Sequence, residues 1–486
     1  MKKITAILLI AVLLLSLSSC GEPIVYDEEF YEESEEEVIN YTMKLVYSRN
    51  DSLNPFYLDT VMNGQISTLV FDGLFKLDKS YNPKPCAAYA YVASGNTVTV
   101  TLDDVMFSDG TQVTVGDVIY SFNAAKESVL YMNSLSNITS CSSGEGGTVI
   151  FSLEEPDPYA VSCLDFPIIK QGSDLNLPVG CGRYYFQKNG EEVYLVVNRY
   201  RKNFNPIIRV IKLESILENE SVESSLVIGN TAFFYDDLED GVYERVDARS
   251  VDMGINSFVY LGMNSSSKFF ESPILRQAVS YALDRTEIVS SAFRSHARET
   301  SVPFNPDWYA VSDGTYSTDI DLEKARELVE ESGYNLDNGE VTILYNKENE
   351  FKTEMADIIA KSLSEVGFHV RLKGFSPQAY RYDLKEGAFD IYIGEMMLCD
   401  NMNLTPLLSG DYAYGISKES PGVEKYTQFL QGKLELMDFI NAFSEDMPIV
   451  PVCYRNALCL FTKSMSVGHS CCDNDIFYDI ESWSLG

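Results

Sequence analysis

Residues 99–122 read TVTLDDVMFSDGTQVTVGDVIYSF. Val100, Leu102 and the Val105/Phe107 pair alternate with polar partners, the period of a half-buried strand ending near Phe107. Ser108-Asp109-Gly110 supplies the reversal: Asp109 can hydrogen-bond its own backbone, and Gly110 tolerates positive φ. Thr114 then stands as an N-cap with Asp117 three residues on, and Val118, Ile119 and Phe122 form an apolar face. The stretch is therefore a strand, a tight turn and a capped helix.

Outward from it, the helix is predicted to continue to about Glu127, residues 134–147 to form an exposed loop rich in Ser, Gly and Asn, and residues 149–153 to form a strand. Upstream, residues 43–47 read as a first strand, and Pro83 and Pro85 mark an edge or connector. Gly180 and Gly182 flank a turn where backbones can approach closely, at a crossover between domains. Strands are expected at 193–198 and 208–213 and a short helix at 219–228. Apolar positions 274, 275, 278, 282 and 289 fit one amphipathic helix, with Arg276 and Asp284 in structural ion pairs. Beyond it, helices at 321–333, 351–366 and 378–386 alternate with strands at 341–345, 369–372 and 389–394. Strands follow at 449–454 and 457–461, and the aromatic tail 477–483 is expected to pack back on the body. Such alternation means an α/β sheet layered by helices.

The 486 residues allow two or three domains. A formal charge of −35, with 37 basic residues against 72 acidic ones, argues against nucleic acid, whose phosphates need Lys and Arg. Residues 1–20 run from Lys2-Lys3 through an apolar stretch to Leu17-Ser18-Ser19-Cys20, the order of a secretory signal ending in a lipobox. Residues 1–19 are thus expected to be removed and Cys20 acylated, anchoring the chain to a membrane. Residues 21–42 carry nine acidic residues and no basic one, and read as an extended tether with a coil reach of about 26 Å.

Of ten cysteines none forms C-x-x-C; disulfides joining Cys141 to Cys163 or Cys181 are open possibilities. The three histidines, His296, His369 and His469, have no metal-ligand spacing, so no metal or cofactor is implied. His369 falls in an alternating strand, the setting of a core histidine. There is no G-x-S-x-G, H-E-x-x-H or P-loop, so the chain is not expected to be an enzyme.

Residues 107–122 resemble a signature of extracellular solute-binding proteins of family 5, the oligopeptide-, dipeptide- and nickel-binding receptors of ABC importers. Further blocks in family order are Leu53-Asn54-Pro55, residues 71–78, Asn82-Pro83-Lys84-Pro85-Cys86-Ala87, Pro178-Val179-Gly180-Cys181-Gly182-Arg183-Tyr184, and the run from Leu261 to Asp284-Arg285. This chain departs at Gly116, Cys86, Cys181 and Arg183, and lacks an aspartate near Gly229. The resemblance implies an α/β, periplasmic-binding-protein-like fold, two lobes joined by a hinge, with an additional domain inserted in the N-terminal lobe. Lobe I would comprise 43–70, 183–262 and 455–486, the inserted domain 71–182, and lobe III 263–454.

It also implies capture of a small solute, most readily a peptide, between closing lobes, and delivery to ABC permease subunits at the outer face of the cytoplasmic membrane, periplasmic if an outer membrane exists. A sensor of a signalling peptide with the same fold is the alternative. In peptide-binding relatives the loop after the strand matching 389–394 carries an aspartate that pairs with the ligand's α-ammonium; here that position is Asp400. Asn401 beside it is a further ligand candidate, and Asp400-Asn401 could equally be a plain turn. Glu395 ends the apolar strand as a second ligand candidate or a solvated charge, and Met397, with Met396 and Met402, could line the cleft or fill the core. His296 lies close to where relatives contact ligand. Where those relatives carry an arginine and a tryptophan, this chain has Gly394 and Met397.

Overall fold

The computed structural model describes residues 41–216, 222–466 and 471–486. The signal segment, Cys20, most of the acidic tether, His469 and the start of the helix expected at 219 lie outside the described residues.

The opening stretch folds as strand Thr97–Leu102 and helix Val115–Glu127. The strand stops five residues before Phe107. Asp103 and Asp104 interrupt the ladder, and residues 105–113 pinch into a small hairpin of their own, with Val113 N–H donating to Val105 O at 2.9 Å and Met106 bridged to Gln112. Gly110 adopts φ 83° at its tip, and Asp109 Oδ1 accepts from the Thr111 N–H at 3.0 Å. The capping box forms: Thr114 Oγ1 accepts from Asp117 N–H at 3.3 Å, and Asp117 Oδ2 accepts from Thr114 N–H at 2.9 Å. Phe122 fixes the helix on its sheet by edge contacts with Phe151 and Phe166, at 5.7 and 5.9 Å between ring centroids.

That sheet is antiparallel, in the order Ala88–Ser94, Thr97–Leu102, Thr148–Leu153, Ile138–Ser143. Its last member falls in the segment expected to be a loop. Ser-rich Ile138–Ser143 has only Ile138 buried, because an edge strand with both faces near solvent needs no apolar alternation. A second four-stranded sheet runs Thr42–Ser48, Val210–Ile216, Glu192–Val197, Tyr184–Asn189. The chain reaches it through the expected close crossover: Gly182 N–H donates to Val70 O at 2.9 Å, and a Cβ on Gly182 would sit 2.5 Å from the Val70 carbonyl carbon.

The third sheet is mixed, in the order Phe233–Asp236, Ile449–Phe461, Arg249–Met263, Ile391–Met397, Val341–Asn346, Val370–Phe375, with Ala297–Glu299 also paired to Ile449–Phe461. Residues 449–461 form one continuous strand rather than two. Helix Glu350–Glu365 crosses between the parallel strands Val341–Asn346 and Val370–Phe375, and helix Pro377–Glu386 leads back to Ile391. The helix expected from 274 to 289 breaks: Pro273–Ala282 ends, Leu283 is extended, and Asp284 Oδ1 caps a new turn by accepting from Glu287 N–H at 2.8 Å. Asp284 is thus a cap rather than an ion-pair partner, while Arg276 pairs with Asp446 at 2.8 Å.

Two apolar cores result. Met253, Ile255, Ala457, Cys459 and Phe461 belong to one, with most of residues 43–213 and the tail residues Phe477 and Trp483. Phe258 to Met263 and Ile449 to Tyr454 belong to the other, with most of residues 269–447. The strands Arg249–Met263 and Ile449–Phe461 therefore touch both cores, Leu458 and Leu460 facing the second where Ala457, Cys459 and Phe461 face the first, and their mutual register slips between Gly254 and Ser257 and again between Val259 and Tyr260. All nine described cysteines are free thiols, and Cys163 and Cys181 are buried, so neither disulfide considered for Cys141 forms. His369 is exposed, 3.2 Å from Asp337, because it precedes the strand that starts at Val370.

Candidate functional site

The place where the long strands slip is also where functional side chains gather. Asn256, buried at the bulge, donates through Nδ2 to the carbonyls of Leu398 and Cys399, each at 3.2 Å, while Leu398 N–H returns a bond to Asn256 O at 2.9 Å. This fixes the loop that follows Ile391–Met397 and carries Asp400. The Asn256 backbone N–H donates to Asp473 Oδ2 at 2.8 Å, and Tyr81 Oη donates to the same oxygen at 3.2 Å. Asn305 Nδ2 reaches both Tyr81 Oη and Asn256 Oδ1, each at 3.2 Å, closing the frame.

Asp165 enters from the other side. Leu164 O accepts from Phe75 N–H at 3.2 Å, and Gly73 lies so close that a Cβ there would be 2.3 Å from Asp165 O. Asp165 and Asp400 are hydrogen-bonded carboxyl to carboxyl, a contact that requires a shared proton, and Asn474 also bonds Asp400. Burial lifts Asp165 to about 6 and Asp473 to about 6. Asp400 is driven well above the usual carboxylate range by burial, with the like charges of Asp165 and Asp473 adding to it. Among the described residues, no Lys, Arg or His forms an ion pair with any of the three. Three carboxyl groups from three distant parts of the chain thus meet with no ion-pair partner, the Arg455 charge reaching Asp473 only from longer range, an arrangement suited to receiving a cation.

Asn401, buried beside Asp400, donates through Nδ2 to Asp157 Oδ2 at 2.7 Å. Next to this bond Tyr159 meets Trp308 at 4.6 Å and Phe429 at 6.2 Å between centroids, and Tyr309 N–H donates to Ser80 O at 2.9 Å. These contacts join the segment around 80–160 to the body of the second core.

The remaining sequence candidates lie elsewhere. Glu395 is met by Arg455 Nε at 2.6 Å, Lys352 Nζ at 2.9 Å and Ser257 Oγ at 2.6 Å. Burial opposes its ionisation, but the Lys352 and Arg455 charges win and hold it at about 2. Met397 is 53% exposed at the strand end, while Met402 is buried. His296 contacts Asp252 at 3.1 Å and packs at a tilt against Tyr243, 4.6 Å between ring centroids. Asp165, Asp473, Asp157 and Asn256 were not singled out by sequence. The available signal for Asp165 is a charge inside the apolar run Cys163-Leu164-Asp165-Phe166-Pro167-Ile168.

Two cores are thus bridged by long strands, with ligand-type side chains gathered at their junction. The chain belongs to the bacterial extracellular solute-binding proteins, family 5, whose model matches residues 81–409. It has their two-lobed α/β fold and is a solute-binding protein of an ABC importer, a receptor rather than an enzyme. The glutathione-binding protein GsiB of Escherichia coli strain K12 is 23% identical over 352 residues, 67% of this chain and 68% of the relative. The ABC transporter substrate-binding protein CtaP of Listeria monocytogenes superposes with a TM-score of 0.70 at 22% identity, over 91% of this chain and 99% of that one. The unliganded open form of the periplasmic murein tripeptide-binding protein MppA gives a TM-score of 0.75 at 16% identity, over 92% and 98% of the two chains.

Proposed function

We propose that this chain is a lipid-anchored receptor that closes on a small amine-bearing solute, most readily a peptide, and passes it to an ABC permease. Asp400, with Asp165 and Asp473, receives the solute's cationic group, and Asn401 closes the cleft beside it. The observation that carries this is the meeting of three carboxyl groups without an ion-pair partner. A solute ammonium would replace the shared proton and relieve the crowding of like charge. The glutathione binding of GsiB and the murein tripeptide binding of MppA agree with such a solute, since each ligand carries an amine. Glu395, its charge already met by Lys352 and Arg455, is held in a structural ion-pair network rather than offered to the solute.

The lobes are taken as residues 43–70, 183–262 and 455–486 against 263–454, with 71–182 inserted in the first. Asn401 and Asp157 then belong to opposite sides of the cleft, and their bond favours closure. Asn401→Ala removes about 1 kcal/mol, shifting the closed-to-open ratio roughly fivefold toward open. Solution scattering should register a larger radius of gyration without solute than in the unmutated protein; an identical curve would count against the closing role.

The anchor follows from the lipobox and the acidic stretch that spaces the body from the bilayer. Cys20→Ala is expected to release the protein from membranes into the surrounding fluid, as read by fractionation. Full retention on membranes would contradict acylation at Cys20.

A further inference from the structure

Arg183 stands where family 5 patterns carry proline, and solute capture does not use it. With Lys76, Arg201 and Lys202 it lines a cavity of about 190 Å³ bordered by Asp475, remote in role from the acidic cleft. The inner charges do not balance. Asp475 pairs with Arg183 at 2.7 Å and Lys76 at 3.1 Å, and Asp72 pairs with Arg201 at 3.0 Å and Lys76 at 3.4 Å. Both carboxylates are 1% exposed, so three cations share two anions. The rim adds one charge of each sign, each bonded to backbone: Lys202 Nζ donates to Asp104 O at 2.8 Å, and Glu481 accepts from Asn205 N–H at 2.8 Å. Arg183 Nε, on a side chain 5% exposed, has no hydrogen-bond partner.

A surplus positive charge partly withdrawn from water, with Lys76 and Arg201 about a quarter exposed and Arg183 buried, beside an orphaned guanidinium N–H and an open volume, calls for an anion. We propose that this pocket binds a tetrahedral oxyanion, phosphate or sulfate, held by Lys76, Arg183 and Arg201 with Lys202 at the mouth. The volume suits one such ion. Asp475, which ties the pocket together, is two residues from Asp473 in the cleft, so occupancy of the pocket steadies the tail segment that supplies part of the solute site.

The test is calorimetric titration of the full chain with sodium phosphate and, separately, sodium sulfate in an amine-sulfonate buffer without either ion. The expected result is saturable binding of one ion with a rise in melting temperature. Lys76→Met brings the inner charges to two against two, and should lower the affinity roughly tenfold or more while the protein stays folded. Lys202→Gln, on the rim, provides a second variant with no buried charge disturbed and should weaken binding by about threefold. Lys212→Gln, far from the pocket, should change nothing. Cosedimentation with phosphatidate vesicles, lost in Lys76→Met and seen without any response to free phosphate, assigns the oxyanion to a lipid headgroup. No response to phosphate, sulfate or vesicles at about 10 mM, or equal affinity in all variants, overturns the proposal.

Discussion

Asp400→Asn is expected to lower affinity for an amine-bearing solute by roughly 10- to 100-fold in calorimetry, the loss that follows when one charge-assisted hydrogen bond is removed from a partly desolvated site. The same variant should be more stable than the unmutated protein when no solute is present. Asp400 lies hydrogen-bonded to Asp165 and under the charge of Asp473, so the amide removes a crowded carboxyl group. A purely structural turn role would give the opposite pairing, with stability lowered and affinity unchanged.

The pH dependence has a definite sign. Asp165 and Asp473 titrate at about 6 in the folded protein against an ordinary value of 3.8. The native state therefore holds more protons than the unfolded chain between these values, and the ligand-free protein loses stability from this cluster as pH rises from 3.8 through about 6. A cationic solute competes with those protons, so its affinity should increase as pH rises through the same window. Calorimetry at pH 5 and pH 7.5 reads this directly; stronger binding at pH 5 would oppose the assignment.

Glu395→Gln is expected to reduce unfolding free energy by about 3–5 kcal/mol, because it leaves Arg455, only 3% exposed, and Lys352 without their counter-charge. The denaturation midpoint should fall accordingly. Replacing Glu395, Lys352 and Arg455 together by apolar residues of similar volume should recover most of the loss, since no uncompensated charge then remains. Glu395 is held at about 2 against an ordinary 4.5, so its contribution is complete above pH 4.5 and disappears as pH falls toward 2. This is opposite in sign to the Asp165, Asp400 and Asp473 cluster, although all four carboxyl groups are removed from water. Proximity of Lys352 and Arg455 makes the difference.

Local chemistry was legible in the sequence and long-range convergence was not. The turn at Gly110 and the capping box of Thr114 and Asp117 depend on residues within a few positions of each other, and both form as read. Strand Ile138–Ser143 escaped because an exposed edge leaves no apolar period. The break at Leu283 escaped because the apolar spacing continues through it while Asp284 takes the backbone as a cap. Asp400 came into view only through resemblance to a family loop. Its companions Asp165 and Asp473 come from segments more than two hundred residues apart in one case, brought together by the Gly73 contact and the bulge at Asn256, and no local pattern encodes such a meeting. Glu395 illustrates the converse: a charge ending an apolar strand is visible in sequence, but its two cationic partners are not.

Native mass spectrometry of the gently purified full chain measures the occupant of the cleft most directly. The expected result is one small solute with a free amine, bound again when added back and no longer bound once that amine is acetylated. A retained solute with no cationic nitrogen, or one whose acetylated form binds equally well, would contradict capture by Asp165, Asp400 and Asp473.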